Sequence, residues 1–119
     1  MSASFRPAWW CRGRHAQTLW GALFRPTPHV PLRRERWETS DGDFLDVDRV
    51  KGTSRAPALI VLHGLEASSR SKHVLGFMAA AHRVGWEVVG INFRSCSGES
   101  NRLRRAYHGG DSTELGWVI

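Results

Sequence analysis

Two stretches of this chain hold residues that could do chemistry at the end of a strand. The first, His63-Gly64-Leu65-Glu66-Ala67-Ser68-Ser69, follows the five apolar residues Ala58 to Leu62. A histidine there can act as a general base, but at a strand end before a glycine it more commonly fixes a loop by hydrogen bonding. The second, Arg94-Ser95-Cys96-Ser97-Gly98-Glu99-Ser100-Asn101-Arg102, follows the apolar run Trp86 to Phe93. Ser97 and Ser100 would need activation to attack a carbonyl, and neither sits in a Gly-x-Ser-x-Gly frame. Cys96 and His108 could form a thiol-imidazole pair, yet no third group accompanies them; a structural cysteine and a loop histidine are the plainer reading. His15, His29, His73 and His82 lack metal-ligand spacing, and Cys11 and Cys96 form no C-x-x-C, so the sequence calls for no metal and no cofactor. Arg94, Arg102, Arg104 and Arg105 could meet an anionic substrate or lipid headgroup. Pairing with Glu66, Glu99 or Asp111 is the simpler expectation.

The elements that must position these residues follow from periodicity. Ala58 to Leu62 has no alternating polar face and reads as a strand buried on both sides, the habit of a parallel sheet. Ser71 to Val84 shows Val74, Met78 and Ala81 at helical spacing, with Phe77 and Val84 widening the stripe and Gly85 placed as a left-handed C-terminal cap. Gly76 inside that helix suggests close approach to the sheet. Trp86 to Phe93 supplies a second apolar strand, so a βαβ unit with parallel strands is expected. Both candidate loops then lie at the carboxyl ends of strands, where open α/β sheets place their chemistry. Upstream, Arg34 to Ser40 and Phe44 to Val50 read as a hairpin about Asp41-Gly42-Asp43, with Leu45 and Val47 on one face. Asp111 and Glu114 have capping-box spacing for a final helix.

Residues 1–33 form an aromatic, proline-rich arm, and residues 34–119 an incomplete α/β domain. Phe5, Trp9, Trp10, Trp20, Leu23 and Phe24 give the arm more aromatic surface than a disordered tail carries, so packing is expected. Only His15 to Phe24 can hold a short helix before Pro26. The net charge of +6 raises the question of nucleic acid, but the arginines are scattered and no RNP pattern or metal knuckle accompanies them. Residues 1–34 hold six arginines and no acid, a bias shared with transit peptides, whereas adjacent tryptophans and repeated prolines fit such a peptide poorly. Two distant cysteines indicate a reducing compartment; with no apolar h-region after Met1 and no membrane-length apolar run, a cytoplasmic protein without a membrane span is expected. The chain closes on Trp117, Val118 and Ile119 in a helix that has hardly begun, which reads as an interrupted domain.

Several blocks carry a resemblance. They are Phe5, Pro7 and Trp10; His15, Gln17, Thr18 and Leu19; Asp41-Gly42-Asp43-Phe44-Leu45; His63-Gly64-Leu65-Glu66; Asn92-Phe93-Arg94 with Cys96-Ser97-Gly98-Glu99, Asn101 and Arg102; and Tyr107-His108 with Gly110. In this order they resemble the amino-terminal part of YheT-type α/β-hydrolases over nearly the whole chain. The sequence departs from that pattern at Ser95, where the family tends to have glycine, at Gly109 (serine), at Ser112 (threonine) and at Glu114 (aspartate).

The resemblance implies acyl transfer by a serine nucleophile, a histidine base and an acid, with backbone donors holding the oxyanion. It points to Leu65 as one such donor, to Gly64 as the residue that lets the backbone turn, and to His63, Glu66, Arg94, Ser97, Gly98 and Glu99 as loop-shaping residues. No catalytic residue is expected in this chain: the elbow would come on the next strand, and the acid and histidine later still, all beyond Ile119. The strand order of the fold would place the Ala58 strand centrally, between the Trp86 strand and the elbow strand. The expected function is therefore that of an amino-terminal portion of a carboxylic ester hydrolase, inactive alone. Its partners would be the remaining carboxyl-terminal polypeptide and a small-molecule or lipid ester substrate. The alternative is a non-catalytic remnant that binds a partner chain, and after it a basic nucleic-acid binder.

Overall fold

A computed structural model describes residues 5–108 and 112–119. The element order is α1 (Arg14–Phe24), β1 (Arg33–Glu38), β2 (Phe44–Val50), β3 (Ala58–Leu62), α2 (Lys72–Arg83), β4 (Glu87–Ile91) and a short 3-10 turn (Leu115–Trp117). The strands form one sheet in the order β1-β2-β4-β3. β1 and β2 pair antiparallel, as do β2 and β4, while β3 and β4 run parallel with Leu59 opposite Val88 and Leu62 opposite Ile91. This is the amino-terminal part of an α/β-hydrolase fold, a hairpin joined to a βαβ unit.

The hairpin turns where the sequence indicates. Gly42 has φ +83°, a conformation that side chains resist. The Thr39 N–H donates to the Asp43 carbonyl at 2.9 Å and the Gly42 N–H to the Thr39 carbonyl at 3.0 Å. α2 begins after Ser71 and buries Val74, Leu75, Met78 and Ala81. Val74, Leu75 and Met78 each contribute about 1.5–3 kcal/mol by leaving water, and the Ala81 methyl less. Gly85 caps it at φ +82°, its N–H donating to the His82 carbonyl at 2.9 Å. Val74, Met78, Ala81 and Val88 make the core, with Val30, Leu32, Val50, Leu59 and Val61 packed against it.

Several expectations need correction. β3 pairs with β4 alone among the described strands, its other edge being the one the resemblance leaves for an elbow strand, but Ala58 and Leu62 are exposed, so the strand is not buried throughout. The run of apolar residues is real, but one side of the strand has no neighbour. Phe77 and Val84 are exposed, so the apolar stripe of α2 is narrower than its sequence suggests. Gly76 approaches nothing: a Cβ there would meet no atom within 4 Å. The close approach falls at Gly90 in β4, where a Cβ would lie 2.9 Å from Ser69 Cβ and 3.0 Å from Met78 Cε. The arm is helical where expected, yet α1 buries no residue. Its rings gather on each other, Trp10 to Trp20 at 4.8 Å and Trp20 to Phe24 at 4.5 Å. The end of the arm, Val30 and Leu32, packs against the core, and Cys11 earlier in the arm is buried. The expected start of a last helix at Asp111 lies outside the described residues. Glu114, the other member of the expected capping pair, is buried and accepts a hydrogen bond from Arg94. No helix among the described residues is long and apolar enough to cross a membrane.

Candidate functional site

The turn after β3 is built around a buried histidine. His63 donates from Nδ1 to the Gly64 carbonyl at 2.7 Å and accepts the Phe93 N–H at Nε2 at 3.1 Å, which places the proton on Nδ1. Both ring nitrogens are thereby engaged in holding backbone. The Ala67 N–H also donates to the Gly64 carbonyl, at 3.2 Å. Glu66 adopts φ +51° and its N–H donates to the Tyr107 hydroxyl at 2.8 Å. Tyr107 stacks flat on Phe93, with centroids 4.8 Å apart and planes 5° from parallel, and His63 meets both rings edge-on. The Glu66 N–H favours the ionised phenol, but burial and the neighbouring Cys96 side chain outweigh it and raise Tyr107 above its ordinary range.

These groups line a cleft of about 250 Å³ formed by Leu62, His63, Gly64, Leu65, Phe93, Tyr107 and His108. Its walls are mostly apolar, and Leu65 is 82% exposed at its edge. Among the described residues, no acceptor takes the Leu65 N–H. An apolar cleft with a free backbone donor at a strand end can hold a carbonyl oxygen that gains charge. Among the described residues no group of three acidic, cysteine or histidine side chains could hold a metal ion.

The other singled-out residues gather elsewhere. Arg94 has no exposed side-chain surface and makes three ion pairs: Nε to Glu114 at 2.7 Å, Nη1 to Asp43 at 2.7 Å and Nη2 to Asp41 at 2.8 Å. Its partners are therefore not Glu66 or Glu99, and Asp111 lies outside the described residues. Burial works against its charge, yet the bonds to Glu114 and Asp41 prevail and raise its pKa. Asp43 is likewise penalised by burial, but the Arg102 N–H, the Asn101 amide and the Phe44 and Leu103 N–H groups hold it down to about 2. Ser97 gives its carbonyl to Arg34 at 2.7 Å, Gly98 turns at φ +101°, and Glu99 pairs with Arg36 at 2.8 Å. Arg102 pairs with Glu38. These contacts fasten the 94–102 loop to the hairpin, not to the cleft. Cys96 lines a neighbouring groove of about 500 Å³, while His108 lines the first cleft.

A second polar cluster had no clear signal in the sequence. Asp48, fully buried, accepts from Arg34 Nη2 at 2.6 Å, from Arg70 Nη2 at 3.1 Å and from the Ser69 hydroxyl. Asn92 accepts the Ser69 N–H at 3.0 Å and donates to the Asp46 carbonyl at 3.0 Å. Burial alone would raise Asp48, but these donors carry it below the carboxylate range. The cluster joins β2, the end of β4 and the last residues of the 63–71 loop, and so supports the turn from beneath. In the sequence Tyr107 stands out only through the Tyr107-His108 block of the resemblance; nothing in its spacing connects it with Glu66.

Comparison with known proteins agrees with this architecture. The chain is 38% identical over 121 residues to YheT of Escherichia coli K12, whose name assigns it provisionally to the esterases; the match covers 99% of this chain and 36% of YheT. It is 28% identical to the Bos taurus phospholipase ABHD3, over 100% of this chain and 31% of that protein, and 27% identical to Caenorhabditis elegans abhd-3.2, over 99% and 32%. The chain thus spans about a third of the length of these curated relatives. A solved α/β-hydrolase from Novosphingobium aromaticivorans is similar at a TM-score of 0.40 and 27% identity, over 56% of this chain and 22% of that one. No family model matches the sequence. The hairpin and βαβ unit, with a loop at each strand's carboxyl end, define a segment of an α/β-hydrolase. Within that class the chain is similar in sequence to YheT, the match running over nearly all of its own length.

Proposed function

We propose that this chain is the amino-terminal portion of a serine hydrolase acting on carboxylic esters. It supplies an oxyanion turn, with Leu65 donating its N–H and Gly64 shaping the approach. The nucleophile, acid and base come from polypeptide outside these 119 residues, because no serine here lies in a Gly-x-Ser-x-Gly frame. The substrate is a small-molecule or lipid ester, and the setting is cytoplasmic. The single observation carrying this reading is the Leu65 amide, without an acceptor among the described residues, beside a cleft lined by His63, Phe93 and Tyr107. In this reading residues 34–119 are the hydrolase domain and residues 1–33 its arm.

The chain alone is expected not to turn over short-chain p-nitrophenyl esters; serine-dependent activity from it would sink the proposal. Codons after Ile119 are expected to encode an apolar strand followed by Gly-x-Ser-x-Gly. In an ester-hydrolysing polypeptide that contains this segment, Leu65→Pro removes the donor and should lower kcat by about 10²–10³. A second reading, a non-catalytic chain that binds a partner, draws on the unpaired side of β3, which offers backbone groups to an incoming strand.

A further inference from the structure

A trans peptide unit points its C=O and N–H in opposite directions, so fixing one end fixes the other. Leu65 lies between two such units. The unit before it, Gly64 C=O with Leu65 N–H, is held by His63 Nδ1 at 2.7 Å and by the Ala67 N–H at 3.2 Å on the carbonyl. The unit after it, Leu65 C=O with Glu66 N–H, is held by the Tyr107 hydroxyl at 2.8 Å. Glu66 stands at φ +51°, where a side chain persists only if its surroundings hold it. Tyr107 is itself fixed, stacked on Phe93, whose N–H binds His63 Nε2. The two holds therefore share one support, and together they determine where the Leu65 N–H points.

We propose that Tyr107 is a positioning residue for the oxyanion turn. Its hydroxyl clamps the peptide unit after Leu65 as His63 clamps the one before it, and the two holds fix the orientation of the Leu65 N–H beside the cleft. This rests on the hydrolase reading above for its purpose, but the clamp itself is a property of the fold.

Tyr107→Phe keeps the ring on Phe93 and removes only the acceptor. In the full chain, hydrogen exchange should show the Glu66 amide exchanging about fivefold faster, the loss expected for one hydrogen bond, while amides of β4 are unchanged. Tyr107→Leu, which also removes the stack, should speed exchange at both Glu66 and Phe93. In an ester-hydrolysing polypeptide containing this segment, Tyr107→Phe should lower kcat with KM little altered, because an aimed amide acts on the charged intermediate. Unchanged exchange at Glu66 in Tyr107→Phe, or equal acceleration throughout β4, overturns the clamp. Unaltered kcat with faster Glu66 exchange overturns its role in positioning. Absence of turnover in the longer polypeptide counts against the hydrolase reading and leaves the exchange result standing by itself.

Discussion

Removing the Arg94 guanidinium tests the charge cluster that fastens the 94–102 loop to the hairpin. The perturbation is Arg94→Met, which keeps a long apolar stem and deletes three charge-assisted hydrogen bonds. Asp43 and Glu114 are fully buried and lose their cation, while Asp41 is partly exposed and can recover water. Taking one partner from a buried ionic cluster costs about 3–5 kcal/mol, chiefly through the charges left behind. Asp43 keeps its bonds from Asn101 and the Arg102 N–H, which places the expected loss at the lower part of that range. A domain of this size holds roughly 6–18 kcal/mol in all, so the variant should still fold but unfold at about 1–2 M less urea. Pulse proteolysis in urea at nanomolar protein reads this below concentrations that favour self-association. Arg94→Lys should recover less than half, since a single ammonium cannot span three carboxylates. The pH dependence follows from direction: Asp43 is held down to about 2 against an ordinary 3.8. Its contribution is present above the ordinary value and lost as pH falls toward 2. The donors to Asp43 stay in place in Arg94→Met, whereas Asp41, which Thr39 and Arg94 together hold below its ordinary range, loses Arg94, so the gap between wild type and variant should narrow as pH falls below the ordinary carboxylate range. A loss under about 1 kcal/mol at neutral pH, or a gap that widens in acid, would refute the argument.

Other perturbations have equally definite outcomes. Asp48→Asn leaves Arg34 and Arg70 without their carboxylate and should cost about 2–4 kcal/mol, with hydrogen exchange rising first at Ser69. Because Asp48 is also depressed, its contribution is lost only as pH falls below the ordinary carboxylate range. Gly90→Ala forces a methyl group toward Ser69 and Met78 and should destabilise by about 1–3 kcal/mol in urea unfolding. The isolated chain should self-associate through the open side of β3, seen as a concentration-dependent mass in light scattering. A cooperatively melting monomer at high concentration would count against that.

What the sequence made legible was the part governed by local pattern. The βαβ unit, the turn at Gly42 and the cap at Gly85 each depend on periodicity or on a φ that glycine alone adopts freely. What it hid depends on neighbours brought from afar. Asp46 and Asp48 alternate with Leu45 and Val47 and look like an exposed face, yet Arg34, Arg36 and Arg70 cover and neutralise them, so β2 is buried on both sides. Gly76 and Gly90 are indistinguishable as single letters; only packing shows that Gly90 faces Ser69 and Met78. At the candidate site His63 to Glu66 could be read directly. Tyr107 could not, because its contact spans 41 residues. The aromatic arm misled for a related reason: composition reports that surface wants cover and does not say where cover is found.

Ser95 stands at φ +62°, where YheT-type sequences tend to have glycine. A serine there bears a backbone cost of about 1 kcal/mol, yet its hydroxyl accepts the Asn101 N–H at 3.3 Å while its own N–H donates to the Asn101 side chain at 2.6 Å. Glycine at 95 would relax the main chain and forfeit the hydroxyl half of that embrace. The two opposing terms are similar in size, so either residue can occupy the locus without reshaping the loop.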